Sequence, residues 1–113
     1  MVNDVDVTLS ALADPTRRRI VELLHERPQR AGELVAAFEV SAPAISRHLR
    51  VLRRSGLVEE HSTENDARVR VYQLRQEPFV ALQAWLDQVQ AFWTDQLGAF
   101  KEHVERMSKG TTE

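Results

Sequence analysis

"SAPAISRHLRVLRRSGLVEE", residues 41 to 60, holds four arginines, Arg47, Arg50, Arg53 and Arg54, and no Asp or Glu between Ser41 and Val58. The chain around it is mildly acidic, with 15 Lys plus Arg against 17 Asp plus Glu. The stretch reads as a helix: Ser41 is a good N-cap, Pro43 is tolerated in a first turn, and Gly56 suits a left-handed C-cap. At 100° per residue Ile45, Leu49 and Leu52 fall within about 60° of one another and define a buried side. Pro43, Arg47, Arg50 and Arg54 lie opposite, flanked by Ala44, Ser46 and Val51. Arg53 sits to one side and His48 nearer the core edge. Arginines at such spacings repel one another, and a solvated helix would intersperse Glu to recover a few tenths of a kcal/mol per pair. A polyanionic partner would supply the missing charge.

Upstream, "RAGELVAAFEV" (residues 30–40) forms another helix with Leu34, Val35 and Phe38 on its buried face. A gap of three or four residues separates the two, which is the spacing of a helix-turn-helix over about 30–55. Before it, "LADPTRRRIVELLHERP" (residues 12–28) opens a helix at Asp14 and Pro15, buries Ile20, Leu23 and Leu24, and stops at Pro28. Val7, Leu9, Ala11 and Leu12 suggest a shorter helix from about Thr8 to Ala13.

Downstream, "LVEEHSTENDARVRVYQL" (residues 57–74) predicts a β-hairpin with strands near 57–63 and 67–74. Arg68 and Arg70, two apart, are then expected on one side of a strand. Arginine near the tip of such a wing can reach a minor groove or phosphates, although Glu64 and Asp66 argue against deep insertion of the tip. From about 79 to 108 the pattern is helical. Leu82, Leu86, Val89, Trp93, Leu97, Phe100, Val104 and Met107 recur in steps of three and four, widened by Phe79, Trp85 and Phe92. A helix of about 30 residues is roughly 45 Å long, more than so small a domain can cover. A second copy around a two-fold axis is the expected partner. The expected dimer interface is Leu82, Leu86, Val89, Trp93, Leu97, Phe100 and Val104, with Leu9 and Leu12. The aromatic residues leave open an apolar small-molecule effector.

The totals set bounds. A chain of 113 residues is one ordinary domain, and 42% hydrophobic with 28% charged residues is a globular composition. No apolar run reaches the 18 residues of a membrane span. "MVNDVDVTLS" has two acids and no basic residue, unlike a secretory signal. The expected localisation is cytoplasmic. With no Cys there is neither a disulfide framework nor a thiolate metal site. No catalytic arrangement emerges: Ser46 and His48 point in different directions on a helix, no acid orients the imidazole, and no phosphate-cradling Gly-rich loop is present. No cofactor is expected.

The order of elements, mainly α with a β-hairpin wing, resembles the ArsR/SmtB family of winged helix-turn-helix transcriptional repressors over nearly the full length. "ALADPTRRRIVELL", "GELVAAFEVSAPAISRHLRVLRRSGLVEE" and "RVYQL" carry the resemblance. Ser41, Ser46, Arg47, His48, Leu49, Leu52, Gly56 and Leu57 stand where the family signature has them. The resemblance implies a homodimer on double-stranded DNA, its recognition helices in successive major grooves and its wings on the flanks. The DNA-contacting set is expected to be Ser41, Pro43, Ala44, Ser46, Arg47, His48, Arg50, Arg54, Arg68 and Arg70. Arg47 is the expected base reader, with Arg50, Arg54 and Arg68 on phosphates. Many family members sense metals, and here the chain departs. "ELVAAF" puts Val35 and Ala37 where the family's "ELCVCD" has cysteines. On the last helix Asp87 and His103 match a second site, but Val89 and Phe100 replace its other ligands. Two ligands of four do not hold a metal tightly. The rival readings are a metal- or small-molecule-responsive repressor of this fold, or a winged helix used for protein–protein or RNA contact. The lack of an exposed aromatic on the arginine face speaks against single-stranded RNA.

Overall fold

The computed structural model describes residues 4–110. The order is α1 (Asp4–Ala11), α2 (Pro15–Glu26), β1 (Gln29–Arg30), α3 (Ala31–Ala36), α4 (Ala42–Arg54), β2 (Val58–Ser62), β3 (Arg70–Leu74) and α5 (Glu77–Gly110). The chain divides into two compact units, one up to Leu82 and one from Gln83.

In the first unit, α1 begins four residues before the expected Thr8 and stops at Ala11 instead of Ala13. Asp4 and Asp6 favour the positive end of the helix, and Thr8, buried, turns its hydroxyl inward to donate to the Asp4 carbonyl at 3.0 Å. Guanidinium groups from α2 satisfy the carbonyls left open where α1 ends. Arg17 donates to the Ala11 carbonyl through Nε (2.6 Å), and Arg18 to that of Leu12 (2.7 Å). Two arginines of the "RRR" run are therefore structural.

The α2 start is as expected. Asp14 caps it, accepting from the Thr16 and Arg17 amides at 2.8 and 3.1 Å. The Arg17 amide, foremost, holds the Asp14 carboxyl below its ordinary value of 3.8. A carboxyl with a depressed folded-state pKa contributes stability above the unfolded-state value and loses it as pH falls through the folded one. Asp14→Ala is expected to cost about 1 kcal/mol in urea unfolding at neutral pH. The difference from wild type should shrink as pH drops below 3.8.

The sheet differs from the expected two-stranded hairpin. It has three strands in the order β1-β3-β2, all antiparallel, with Gln29 opposite Tyr72 and Glu60 opposite Tyr72 on the other side. A two-residue strand after Pro28 has no alternation by which to be read. It is fixed by β3 and by Gln29, which is buried and donates to the Leu23 carbonyl at 2.8 Å. The wing strands are shorter than expected, and residues 63–69 form a self-bonded loop. Thr63 Oγ1 donates to the Asp66 carbonyl (2.7 Å) and accepts from its amide (3.1 Å), while Asp66 Oδ1 accepts from the Arg68 amide (2.9 Å). Arg68 consequently lies in the loop, and its expected place beside Arg70 on one strand side is corrected.

Ile20, Leu34, Ile45, Leu52 and Leu57 are sealed in the core, with Ala11, Leu24, Leu49 and Val58 around them. The helix-turn-helix gap runs from Ala37, the α3 C-cap, to Ser41, the α4 N-cap, slightly longer than expected. At the end of α4, Gly56 adopts φ 78°. Its amide donates to Arg53 and that of Leu57 to Leu52, both at 3.0 Å, and the two leucines meet in the core. This double bond with an apolar contact is a Schellman cap, and only glycine enters its left-handed position without strain. It turns the chain sharply from α4 into β2.

In the second unit α5 presents an exposed apolar stripe. Leu86, Val89, Phe92, Trp93, Leu97, Phe100, Val104 and Met107 are between 37% and 67% exposed. Its polar side carries Asp87, Gln90, Thr94 and Asp95. Among the described residues no helix is long and apolar enough to cross a membrane.

Candidate nucleic-acid interface

Ser41 starts α4 by accepting from the Ala44 amide at 3.3 Å, with Pro43 in the first turn. Ile45, Leu49 and Leu52 are buried, as the spacing required, and this fixes the rotation of the helix. Ser41, Pro43, Ser46, Arg47, Arg50 and Arg54 are exposed on the other side, and Ala44 is half-buried. Among the described residues no carboxylate pairs with Arg47, Arg50 or Arg54. Three guanidinium groups thus stand in solvent along one helix, at successive spacings of three and four residues.

His48 is placed differently. It is half-buried, and its Nδ1 lies 3.5 Å from an Arg17 nitrogen, close enough to Asp14 for mutual attraction. It faces the start of α2 and is not part of the exposed arginine row. Arg53 bridges to the wing, 2.6 Å from Glu60, and Arg70 meets the same carboxylate at 3.2 Å. Arg70 is therefore tied down at the outer end of the paired wing strands, next to the loop. Arg68 is almost fully exposed, with only a long 3.5 Å approach to Asp66. Of the wing arginines it is the one free to reach outward.

Sequence reasoning missed Glu60 and set Arg53 aside. The signal was present in the pairing of β2 with β3, which puts Glu60 diagonally beside Arg70. The residues expected at a dimer interface fall into two groups. Leu9, Leu86, Val89, Trp93, Leu97, Phe100 and Val104 are exposed. Leu12 and Leu82 are half-buried, and Leu12 packs on the core. Asp87 is hydrogen-bonded by Gln83 at 2.9 Å. Among the described residues no three His, Cys, Asp or Glu side chains gather closely enough to hold a metal.

The family model described as "Bacterial regulatory protein, arsR family" matches residues 14–60, from the cap of α2 to the middle of β2. The HTH-type transcriptional regulator Rv2034 of Mycobacterium tuberculosis is 40% identical over 100 residues, covering 88% of each chain. This protein belongs to the ArsR family. Among other relatives, the transcriptional repressor SdpR of Bacillus subtilis is 39% identical over 51 residues, 45% of this chain and 57% of that one. An ArsR-like transcriptional regulator from Rhodococcus sp. RHA1 superimposes with a TM-score of 0.73 at 29% identity, covering 88% of this chain and 91% of that one. The fold is accordingly the winged helix-turn-helix of ArsR regulators, and the family consists of transcriptional regulators, not enzymes. In this ArsR chain Val35 and Ala37 occupy α3 and its cap where cysteines of metal-sensing members would stand.

Proposed function

We propose that this ArsR-family protein is a homodimeric, sequence-specific DNA-binding repressor of the cytoplasm that recognises an inverted-repeat operator. The carrying observation is the row of unpaired guanidinium groups on α4, opposite the buried Ile45, Leu49 and Leu52. Half or more of protein–DNA hydrogen bonds go to phosphate and sugar, and bidentate arginine on guanine is the commonest specific base contact. Arg47, in the first half of α4 and central on its exposed face, takes the base-reading role. Arg50, Arg54 and the wing's Arg68 take phosphates. The small or short residues Ser41, Ala44 and Ser46 let the N-terminal end of α4 approach a groove floor.

Dimerisation rests on the exposed apolar residues of α5, Phe92, Trp93, Leu97 and Phe100 foremost. Two recognition helices in one dimer read half-sites about one helical turn, 34 Å, apart. The whole chain then acts as one DNA-binding module. Repression is the sign of regulation carried in the name of the Bacillus subtilis relative. The aromatic members of the stripe, Trp85, Phe92, Trp93 and Phe100, also suit an apolar effector at the same interface.

The test is selection of duplexes from a random pool, followed by binding to single-base variants of the selected site. An inverted repeat is expected. Arg47→Ala should cost about 1–3 kcal/mol on the selected site and flatten base preference at one position of each half-site. Arg54→Ala should weaken all duplexes by a common factor. If both changes merely scale affinity, the division of roles is wrong.

A further inference from the structure

Two acids, Glu59 and Glu60, line the groove between α4 and β2, and Glu60 is the more buried. The Glu60 side chain is only 14% exposed, yet both its oxygens are engaged: Oε2 by Arg53 at 2.6 Å and Oε1 by Arg70 Nε at 3.2 Å. The strand register explains the convergence. Glu60 is opposite Tyr72 and Ser62 is opposite Arg70, so these four side chains share one face of the sheet. The inner end of that face is Val58 opposite Leu74, with Val58 in the core. Glu60 is the next residue outward on β2. Arg70 is anchored a second time, donating to Ser62 Oγ at 2.9 Å. Arg53, from the last turn of α4, closes the cluster. Burial, and then the neighbouring Glu60, raise the Tyr72 hydroxyl above its ordinary pKa.

Arg50, Arg53 and Arg54 line the same groove as Glu60, together with Glu59 and Arg75, which approach each other at 4.0 Å. The Glu60 carboxylate therefore sits among the groups expected to meet phosphates, where it repels a polyanion and occupies two cations. Ion pairs at half-exposed arginines contribute little stability, so stability alone does not account for an acid at this point. Non-specific DNA affinity grows with each phosphate neutralised, whatever the base sequence. An acid that withholds two guanidinium groups per protomer lowers that sequence-blind term and leaves Arg47 untouched. It also joins the wing to the recognition helix, so that both reach DNA in one register.

We propose, on the reading that this face binds duplex DNA, that Glu60 is a specificity-determining positioning residue. It reserves Arg53 and Arg70 from the phosphates and locks the wing to α4 through the double ion pair.

The test compares the full-length wild type with Glu60→Gln on a random-sequence duplex and on a selected duplex, each over a range of salt. Glu60→Gln keeps the shape and removes the charge. Random-duplex affinity should rise, and log K against log salt should steepen by about 0.9 for each arginine released, about 2–4 for the dimer. The preference for the selected over the random duplex should fall severalfold. Equal weakening of both duplexes with an unchanged slope would reduce Glu60 to a structural hinge and overturn the inference. A second variant with Arg53→Gln and Arg70→Gln alters two half-exposed side chains. A wild-type slope there supports the inference, and a flatter slope overturns it, because the arginines would then already touch phosphates. A wild type that binds no duplex in a salt-dependent way removes the DNA-binding reading itself. A normal wild-type slope with an unresponsive Glu60→Gln removes this inference alone.

Discussion

Trp93→Glu is expected to turn the protein into a monomer at micromolar concentration and to lower its affinity for a selected duplex by about 10²–10⁴, the usual gain from joining two binding modules. Trp93 is 59% exposed in the isolated chain, so a charge there costs the chain's own folding little. In a dimer packed along the α5 stripe the same carboxylate would be buried without a partner, which is severely unfavourable. Gln90→Glu, on the polar side of α5, is the matched control and should leave the dimer intact. Sedimentation of both variants and duplex binding at one salt concentration are sufficient. A dimeric Trp93→Glu would mean that the stripe is not the contact between copies.

The second large effect is in the core beneath the arginines. Leu52→Ala is expected to cost about 2–5 kcal/mol, the range for a buried leucine replaced without collapse of its cavity. Leu52 is fully buried, and its carbonyl accepts the Leu57 amide in the cap that joins α4 to β2. The loss is a large part of a typical domain's 5–15 kcal/mol and should lower the melting temperature by roughly 10 °C or more. Val51→Ala, beside it but half-buried, should cost about 1 kcal/mol or less. Equal effects at the two positions would show that the rotation of α4 is not set by Ile45, Leu49 and Leu52.

These residues also show why the sequence was informative here. In α4 the apolar spacing, the Ser41 cap and the Gly56 stop all agree, so the buried side and the exposed arginine row followed from 100° steps alone. The α2 start was equally legible, because Asp14 and Pro15 each act locally. What escaped depends on contacts distant in sequence. β1 exists only because β3 offers it an edge. The early start of α1 depends on a buried Thr8 hydroxyl, and its end on guanidinium groups from α2. The wing strands were over-extended because Val69 and Arg68 look like strand continuation, whereas Thr63 and Asp66 close the loop on itself. The place of His48 nearer the core edge was legible from the same 100° steps, but its contact with Arg17, about 30 residues upstream, was not.

The proposed function requires a duplex backbone to neutralise the free guanidinium row of α4, and the salt dependence of duplex binding by the wild-type protein tests this. With Arg50, Arg54 and Arg68 of each protomer on phosphates, log K should fall against log salt with a slope near −5, and Arg54→Ala should flatten it by about 2. A wild-type slope near zero, or one indifferent to Arg54, would contradict the account.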